Sequence, residues 1–279
     1  MPGIPHLQHP PGITAFRKIV LDYYHDHGRD LAWRKTTDPY HILVSEIMLQ
    51  QTQVERVAVK FPAFIAAFPD FPSLAKAPLA EILAVWQGMG YNRRAISLQK
   101  CAGRVVEEFD GTLPHDPEIL ATFPGIGKAT AASICAFAFN MPVVFIETNI
   151  RRVFIHFFFG DIHTVDDAEI LLRAKKALYR KDPRTWYNAL MDLGTALRSE
   201  VENPNRRSRH YTRQTAFEGS DRKIRGWILR LLLDEEHLTL KGIVQKVKEE
   251  PGRINRILKD LEEEGFIVSS GSGYSIASR

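Results

Sequence analysis

The chain has 279 residues, 44% hydrophobic and 25% charged, with a net charge of +4, enough for two domains with full cores. The mild positive balance tilts only weakly toward nucleic acid. Two cysteines, Cys101 and Cys135, exclude a disulfide framework and a four-thiolate cluster. The N-terminal stretch MPGIPHLQHPPGI has no signal-peptide pattern, and no run reaches the roughly 20 apolar residues of a membrane span. A soluble, reduced, cytoplasmic protein with no membrane association is expected.

Helical periodicity dominates the first two thirds of the chain. Pro78 opens a short helix with Leu79, Ile82, Leu83 and Trp86 on one stripe, closed by Gly88 and Gly90. Asp116 caps another, with Pro117 at its first position and Leu120 and Phe123 turned inward. Residues 129–139 form a nearly polar-free, buried helix. Residues 13 to about 200 therefore read as all-α.

Between these helices lies LATFPGIGKATAASI, residues 120–134. A helix ends at Phe123, Pro-Gly-Ile-Gly turns, and a new helix starts near Lys128. Gly125 and Gly127 permit conformations and close approach that a Cβ would forbid. The N–H groups opening the second helix suit a phosphate oxygen, with Lys128 and Thr130 beside them. A plain helix-turn-helix corner would use the same glycines for the turn alone. Such a hairpin reads backbone and carries no base identity. Further on, FIETNIRRV, residues 145–153, places Glu147 at a helix start.

From Arg198 the stretch RSEVENPNRRSRHYTRQTAFEGSDRKIRG is polar and arginine-rich, either a solvated linker or an ordered DNA-contacting segment. Helices near 222–234, Thr239–Lys248 and Pro251–Glu264 follow, then two short strands in IVSSGSGYSIA, which together read as a winged helix. Ile254, Ile257, Leu258 and Leu261 face its core, leaving Arg253, Arg256 and Lys259 exposed, either for a DNA groove or on a module that docks a protein partner. Glu262, Glu263 and Glu264 at the helix end would repel phosphate. The boundaries are 1–205, a basic linker 206–221, and 222–279.

The stretches LAWR (31–34), SEIMLQQTQVERV (45–57), WQGMGYNRRA (86–95), FPGIGKATAASI (123–134), ETNIRRV (147–153) and NALMDLG (188–194) together resemble the helix-hairpin-helix (HhH-GPD) DNA glycosylase superfamily. Within it the likeness is to A/G-specific adenine DNA glycosylases and G/T-mismatch thymine DNA glycosylases, over residues 15–197. The resemblance implies a two-lobed all-α fold followed by the winged helix. It implies that Glu46 protonates the leaving base and handles the attacking water, and that Glu147 occupies the second carboxylate position, stabilising an oxocarbenium-like sugar. Gln51 and Thr52 would reach the duplex near the opposite base, and Tyr91 would wedge into the stack as the target nucleotide flips. Trp33, Arg34, Asp192 and Ala129 would line the base pocket. Asp192 has a second reading as a helix polar residue satisfied by a local donor.

Four departures stand against the pattern. The second carboxylate is ordinarily aspartate, one methylene shorter than Glu147. Ala129 replaces the Schiff-base lysine of bifunctional relatives, with Lys128 one residue early and about 100° away around the helix. No cysteines follow MDLG, so the fold closes without the family's iron–sulfur cluster, and Arg206, Arg207 and Arg209 are expected to take over some of its backbone contacts. The C-terminal domain is not the 8-oxoguanine-reading type.

The expectation is a monomeric, monofunctional glycosylase without cofactor or metal, acting in the cytoplasm at the nucleoid on a mispaired or damaged base in duplex DNA. Adenine opposite guanine or 8-oxoguanine leads. Thymine or uracil opposite guanine, hypoxanthine, and a non-catalytic binder of distorted DNA are the alternatives.

Overall fold

The computed structural model describes residues 9–160, 162–209, 211, 219–271 and 273–278. In chain order the helices are α1 (Ile13–His27), α2 (Pro39–Leu49), α3 (Val54–Ala67), α4 (Phe71–Lys76), α5 (Leu79–Trp86), α6 (Arg93–Glu108) and α7 (Pro117–Leu120). They continue as α8 (Lys128–Phe139), α9 (Thr148–Phe158), α10 (Asp167–Ala177), α11 (Pro183–Glu200), α12 (Asp221–Glu235), α13 (Leu240–Val247) and α14 (Pro251–Glu263). Three strands, β1 (Leu238–Thr239), β2 (Ile267–Ser270) and β3 (Gly273–Ile276), lie near the C-terminus. The chain divides into two compact units: residues 1–43, 115–122 and 126–213, and residues 44–114, 123–125 and 214–279.

The first unit is built from α1 and α7 to α11. Phe16 of α1 is fully buried, its ring 4.8–5.8 Å from those of Phe154, Phe157, Phe158 and Trp186. α8 is buried from Ala131 to Ala138, which is why its sequence carries almost no polar residue. Gly194 of α11 has no room for a side chain. A Cβ there would stand 2.4 Å from the Asn149 carbonyl oxygen and 2.7 Å from its Cβ. This close approach brings α11 onto the first turn of α9.

Residues 203–209 are held to the same unit by hydrogen bonds and ion pairs. Val165 N–H donates to the Arg207 carbonyl (2.8 Å) and Arg209 N–H to the Val165 carbonyl (3.0 Å), while Asn205 Nδ2 donates to the Thr148 carbonyl at 2.9 Å. Arg206 pairs with Glu202, Arg209 with Asp166, and Arg207 donates to the Phe159 and Gly160 carbonyls. Arg207 and Arg209 thus tie this loop to residues 159–166, while Arg206 makes an exposed pair with Glu202 one turn before it. Of the arginine-rich stretch, residues 210 and 212–218 lie outside the described residues.

The second unit contains α3 to α6 and the winged helix. Phe64, Leu74, Ile82, Trp86 and Leu98 are buried in its helical part. In the winged helix Ile254, Ile257, Leu258 and Leu261 are fully buried, as expected. The two predicted strands form a three-stranded sheet, order β1-β3-β2, with Leu238 opposite Tyr274 and Ile267 opposite Ile276. The third strand, β1, escapes sequence reading because two residues cannot display alternation. Arg253 departs from expectation too: it is half-buried, donating to Asp221 at 2.8 Å, to Glu249 and to the Gly219 carbonyl. Arg256 also reaches Asp221, at 2.8 Å.

The contact at Gly194 is testable by denaturant unfolding. Gly194→Ala should lose about 1–3 kcal/mol by overpacking against Asn149. Gly103→Ala, in α6 with open space at its Cβ, should instead gain about 0.4–1 kcal/mol by restricting the unfolded chain.

Candidate active site

In the second unit, α2 presents Glu46 half-buried between Ser45 and Ile47, both buried. What fixes the end of this helix is Arg94. Its guanidinium is buried and donates to the carbonyls of Ile47 (2.9 Å) and Met48 (2.8 Å) and also to that of Gln50. These are the groups that a helix C-terminus leaves without intrahelical partners. The same side chain donates to Thr52 Oγ1 (2.9 Å) and the Gly90 carbonyl (3.1 Å). One cation therefore ties together the helix bearing Glu46, the Gln51–Thr52 turn and the Gly90–Tyr91 turn. Burial lowers its pKa to about 10.

Gln51 (φ 54°) and Tyr91 (φ 48°) both have left-handed backbone, which costs a non-glycine residue about 1–2 kcal/mol. Such strain concentrates at functional positions, and these are two of the three residues expected to enter the duplex. The third, Thr52, lines the same cavity of about 1510 Å³ as both of them.

Gly125 in the hairpin has φ 74°, and a Cβ there would meet Ser97 Cβ at 2.9 Å, so glycine is required. Gln50 Nε2 donates to its carbonyl at 3.1 Å, and the Cys101 thiol donates to the Pro124 carbonyl at 3.2 Å. Gly127 differs from expectation. It is the N-cap of α8 with φ −85°, a conformation open to any residue, and nothing lies within 4 Å of the place a Cβ would take. Its lack of a side chain leaves clear space over the helix start. Lys128 and Ala129 are exposed and Thr130 half-buried on that first turn.

In the first unit Glu147 is the N-cap of α9. Its Oε1 accepts from the backbone N–H groups of Asn149 (2.7 Å) and Ile150 (2.8 Å), and Oε2 from Asn149 Nδ2 at 3.3 Å. Asn149 is held in turn: Arg152 Nη1 donates to its Oδ1 at 2.8 Å and to the Gly194 carbonyl. Burial pushes the Glu147 carboxyl above the usual glutamate range, against the lowering effect of the two backbone hydrogen bonds and of Arg152 and Arg151. Arg152 is buried, and that burial lowers its own pKa despite the facing Glu147.

Asp192 is also buried. Arg34 grips both its oxygens (2.7 and 2.8 Å), and Arg29 adds Nε (2.6 Å) and its backbone N–H (2.8 Å). Burial would raise this carboxyl, but Arg34 and Arg29 hold it below the usual aspartate range. The structure thus brings Arg34 and Asp192 together as a locked ion pair, with Trp33 buried in the same turn.

The HhH-GPD superfamily base excision DNA repair protein model matches residues 44–177. An adenine DNA glycosylase of Mycolicibacterium smegmatis is 33% identical, covering 91% of this chain and 93% of that protein. An adenine DNA glycosylase of Mycobacterium tuberculosis is 31% identical over 82% and 83%. The chain belongs to the HhH-GPD superfamily of base excision DNA repair proteins. The solved structure of a thermostable thymine-DNA glycosylase, 24% identical with TM-score 0.61, covers 69% of this chain and 90% of that one and has the same fold.

This HhH-GPD chain does not suit the iron–sulfur cluster of its superfamily, which needs four thiolates. Cys101 and Cys135 are the whole supply, and burial pushes their thiols up to about 12 and about 11. Among the described residues no group of three His, Cys, Asp or Glu side chains could hold a metal ion. No described helix is long and apolar enough to cross a membrane.

Sequence reading missed Arg94, Asn149 and Arg152, although all three lie inside the motifs it quoted. A lysine could not reach five acceptors from the position of Arg94. Arg94→Lys should therefore cost on the order of 3 kcal/mol, through carbonyls left without donors, with a matching fall in urea midpoint.

Proposed function

We propose that the chain is a monofunctional DNA glycosylase that hydrolyses the N-glycosidic bond of a mispaired base in duplex DNA, its target being adenine opposite guanine or 8-oxoguanine. Support for the target comes from relatives named adenine DNA glycosylase that align over most of their length. The observation that carries the chemistry is Glu147, a desolvated carboxylate held by two backbone N–H groups at a helix start.

Glycosidic cleavage builds positive charge on the sugar and negative charge on the departing base. Glu46 is assigned as the acid that protonates the base and then handles the attacking water. Glu147 is assigned as the anion facing the cationic sugar. A poorly solvated carboxylate gains more from a nearby developing cation than one in water does. The extra methylene of Glu147 lets its arm fold back onto the Asn149 and Ile150 amides, the capping geometry a shorter aspartate would adopt. Trp33, Arg34 and Asp192 are assigned to the base pocket, where the Arg29–Asp192–Arg34 cluster would hold the Arg34 guanidinium rigid. Ala129 stands at the lysine position of bifunctional relatives, so no Schiff base forms there and β-lyase activity is absent. The hairpin, with Gly125, Gly127, Lys128 and Thr130, binds backbone phosphate. The protein works as a monomer at the nucleoid, organised as residues 1–205, 206–221 and 222–279.

A single-turnover gel assay tests this. Duplexes carrying adenine opposite guanine or 8-oxoguanine should yield alkali-labile abasic sites, and Glu46→Gln should abolish them. Cleavage confined to thymine, uracil or hypoxanthine duplexes would overturn the target. No cleavage of any duplex would overturn the enzyme.

Glu147→Gln separates charge from capping, because the amide oxygen still accepts from Asn149 and Ile150. The rate should fall by about 10²–10³. The Glu147 pKa is raised on folding, so its protonated form favours the folded state and that contribution is lost as pH rises through the folded-state pKa. At neutral pH the variant should therefore melt no lower than wild type. The same shift moves the acid limb of the wild-type rate profile to higher pH than an ordinary glutamate would give. An unchanged rate would leave Glu147 a cap and nothing more.

A further inference from the structure

The cavity that holds Gln51, Thr52 and Tyr91 has a second wall, contributed by α12 of the winged helix. We propose that this basic groove takes the phosphodiester backbone of duplex DNA, and that the winged helix binds it through α12 rather than through α14, the helix that such modules ordinarily offer. The inference rests on the reading of the chain as a DNA glycosylase and extends it to a domain that reading left without a role.

Size and charge select the occupant. At about 1510 Å³ the groove exceeds the roughly 300–1,000 Å³ of small-molecule pockets. Seven of its lining residues are arginine or lysine and one, Asp234, is acidic. Two of the seven are consumed internally: Arg93 and Arg225 both clasp Glu264. Burial pushes that carboxyl up, but the two arginines hold it below the usual range. Arg94 is spent on backbone carbonyls. Arg56 of α3 and Arg230 of α12 are exposed, and among the described residues neither makes an ion pair. Lys223 also lines the groove. Trp227, an exposed indole of α12, adds a face on which a base or sugar can lie.

Arg222 connects the two walls. Its Nη1 donates to the Tyr91 hydroxyl at 2.6 Å, and its guanidinium stands over the Tyr91 ring at 5.6 Å, with that of Arg94 at 5.5 Å. The residue expected to wedge into the base stack is thus positioned by the winged helix. On α14 the situation is reversed: Arg253 and Arg256 are neutralised by Asp221, and Glu262 is taken up by Ser269.

Equilibrium binding to a fluorescein-labelled duplex, with and without one A:G mispair, across about 50–200 mM KCl reads the phosphates neutralised directly, since each contributes about 0.9 to the slope of log K against log salt. The full-length protein is used, with Glu46→Gln to stop turnover. Arg56→Gln and Arg230→Gln should each lower the slope by about 0.9, whereas Lys259→Gln on α14 should leave it unchanged. Arg222→Gln should weaken binding about tenfold in the Tyr91 background and much less in a Tyr91→Phe background. Unchanged slopes for Arg56→Gln and Arg230→Gln, or a fall confined to Lys259→Gln, would overturn the groove. Both substituted arginines are exposed, so loss of folding does not obscure the result. Because no turnover is read, lowered slopes in a protein that excises no base would support the groove while overturning the glycosylase. Normal excision with unchanged slopes would do the reverse.

Discussion

A fold assembled from many short helices has many helix ends, and every C-terminal end leaves carbonyls outside the intrahelical ladder. Here arginines reach across to take them. Arg94 serves the end of α2, Arg17 donates to Lys176, Ala177 and Leu178 at the end of α10, and Arg184 to Phe137 and Ala138 near the end of α8. Arg207 does the same just beyond α9. A planar guanidinium with five N–H donors can satisfy several diverging carbonyls at once, which no neutral side chain does. The opposite ends are closed by acids, with Asp70, Asp116, Glu147, Asp166, Asp182 and Glu250 each accepting from first-turn N–H groups. A stability contribution and a functional placement are then one interaction: Arg94 sets the turns bearing Gln51 and Tyr91 because they adjoin the helix end it caps.

Whether a feature was legible in the sequence follows from how far apart its partners lie. Asp116 and Pro117, the hairpin before Lys128, and the helices of the winged domain are local patterns and could be read along the chain. Glu147 as a helix start was equally local. Ile47, Met48, Gln50 and Thr52, the partners of Arg94 at the end of α2, lie more than forty residues away, so the sequence displayed an arginine with no hint of which of those groups it would meet. The same holds for Asn149 and Arg152, whose role depends on Gly194 approaching α9 from another helix. The donors that hold Asp192 are more distant still, Arg29 and Arg34 lying 163 and 158 residues before it in the chain. That bears on how a pocket residue would be held and leaves its contact with a base to experiment.

The two carboxylates of the proposed chemistry reach their environments by different routes. Glu46 follows from an apolar helix whose other residues near it are buried. Glu147 follows from a helix start, where the amides that orient the carboxylate would by themselves lower its pKa, and burial wins against them. Orientation and desolvation are thus supplied by separate parts of the structure, the first by Asn149 and Ile150 and the second by packing around α9. A cap exposed to solvent would keep the geometry and lose the raised affinity for positive charge.

The winged helix shows why the composition of a helix does not decide its partner. Arg253, Arg256 and Lys259 made α14 the natural candidate for a DNA groove, and Glu262 to Glu264 made it a doubtful one. Ion pairing bears on both features. Asp221 occupies the two arginines, and Glu264, far from repelling phosphate, is the anchor that ties Arg225 of α12 to Arg93 beside Tyr91. Had Glu264 been absent, Arg93 and Arg225 would repel each other across that contact. With it, two cations are fixed and the exposed positive charge of Arg56 and Arg230 remains along the groove. An acidic residue in a basic protein can therefore strengthen an anion site, provided it holds the cations that would otherwise push its walls apart.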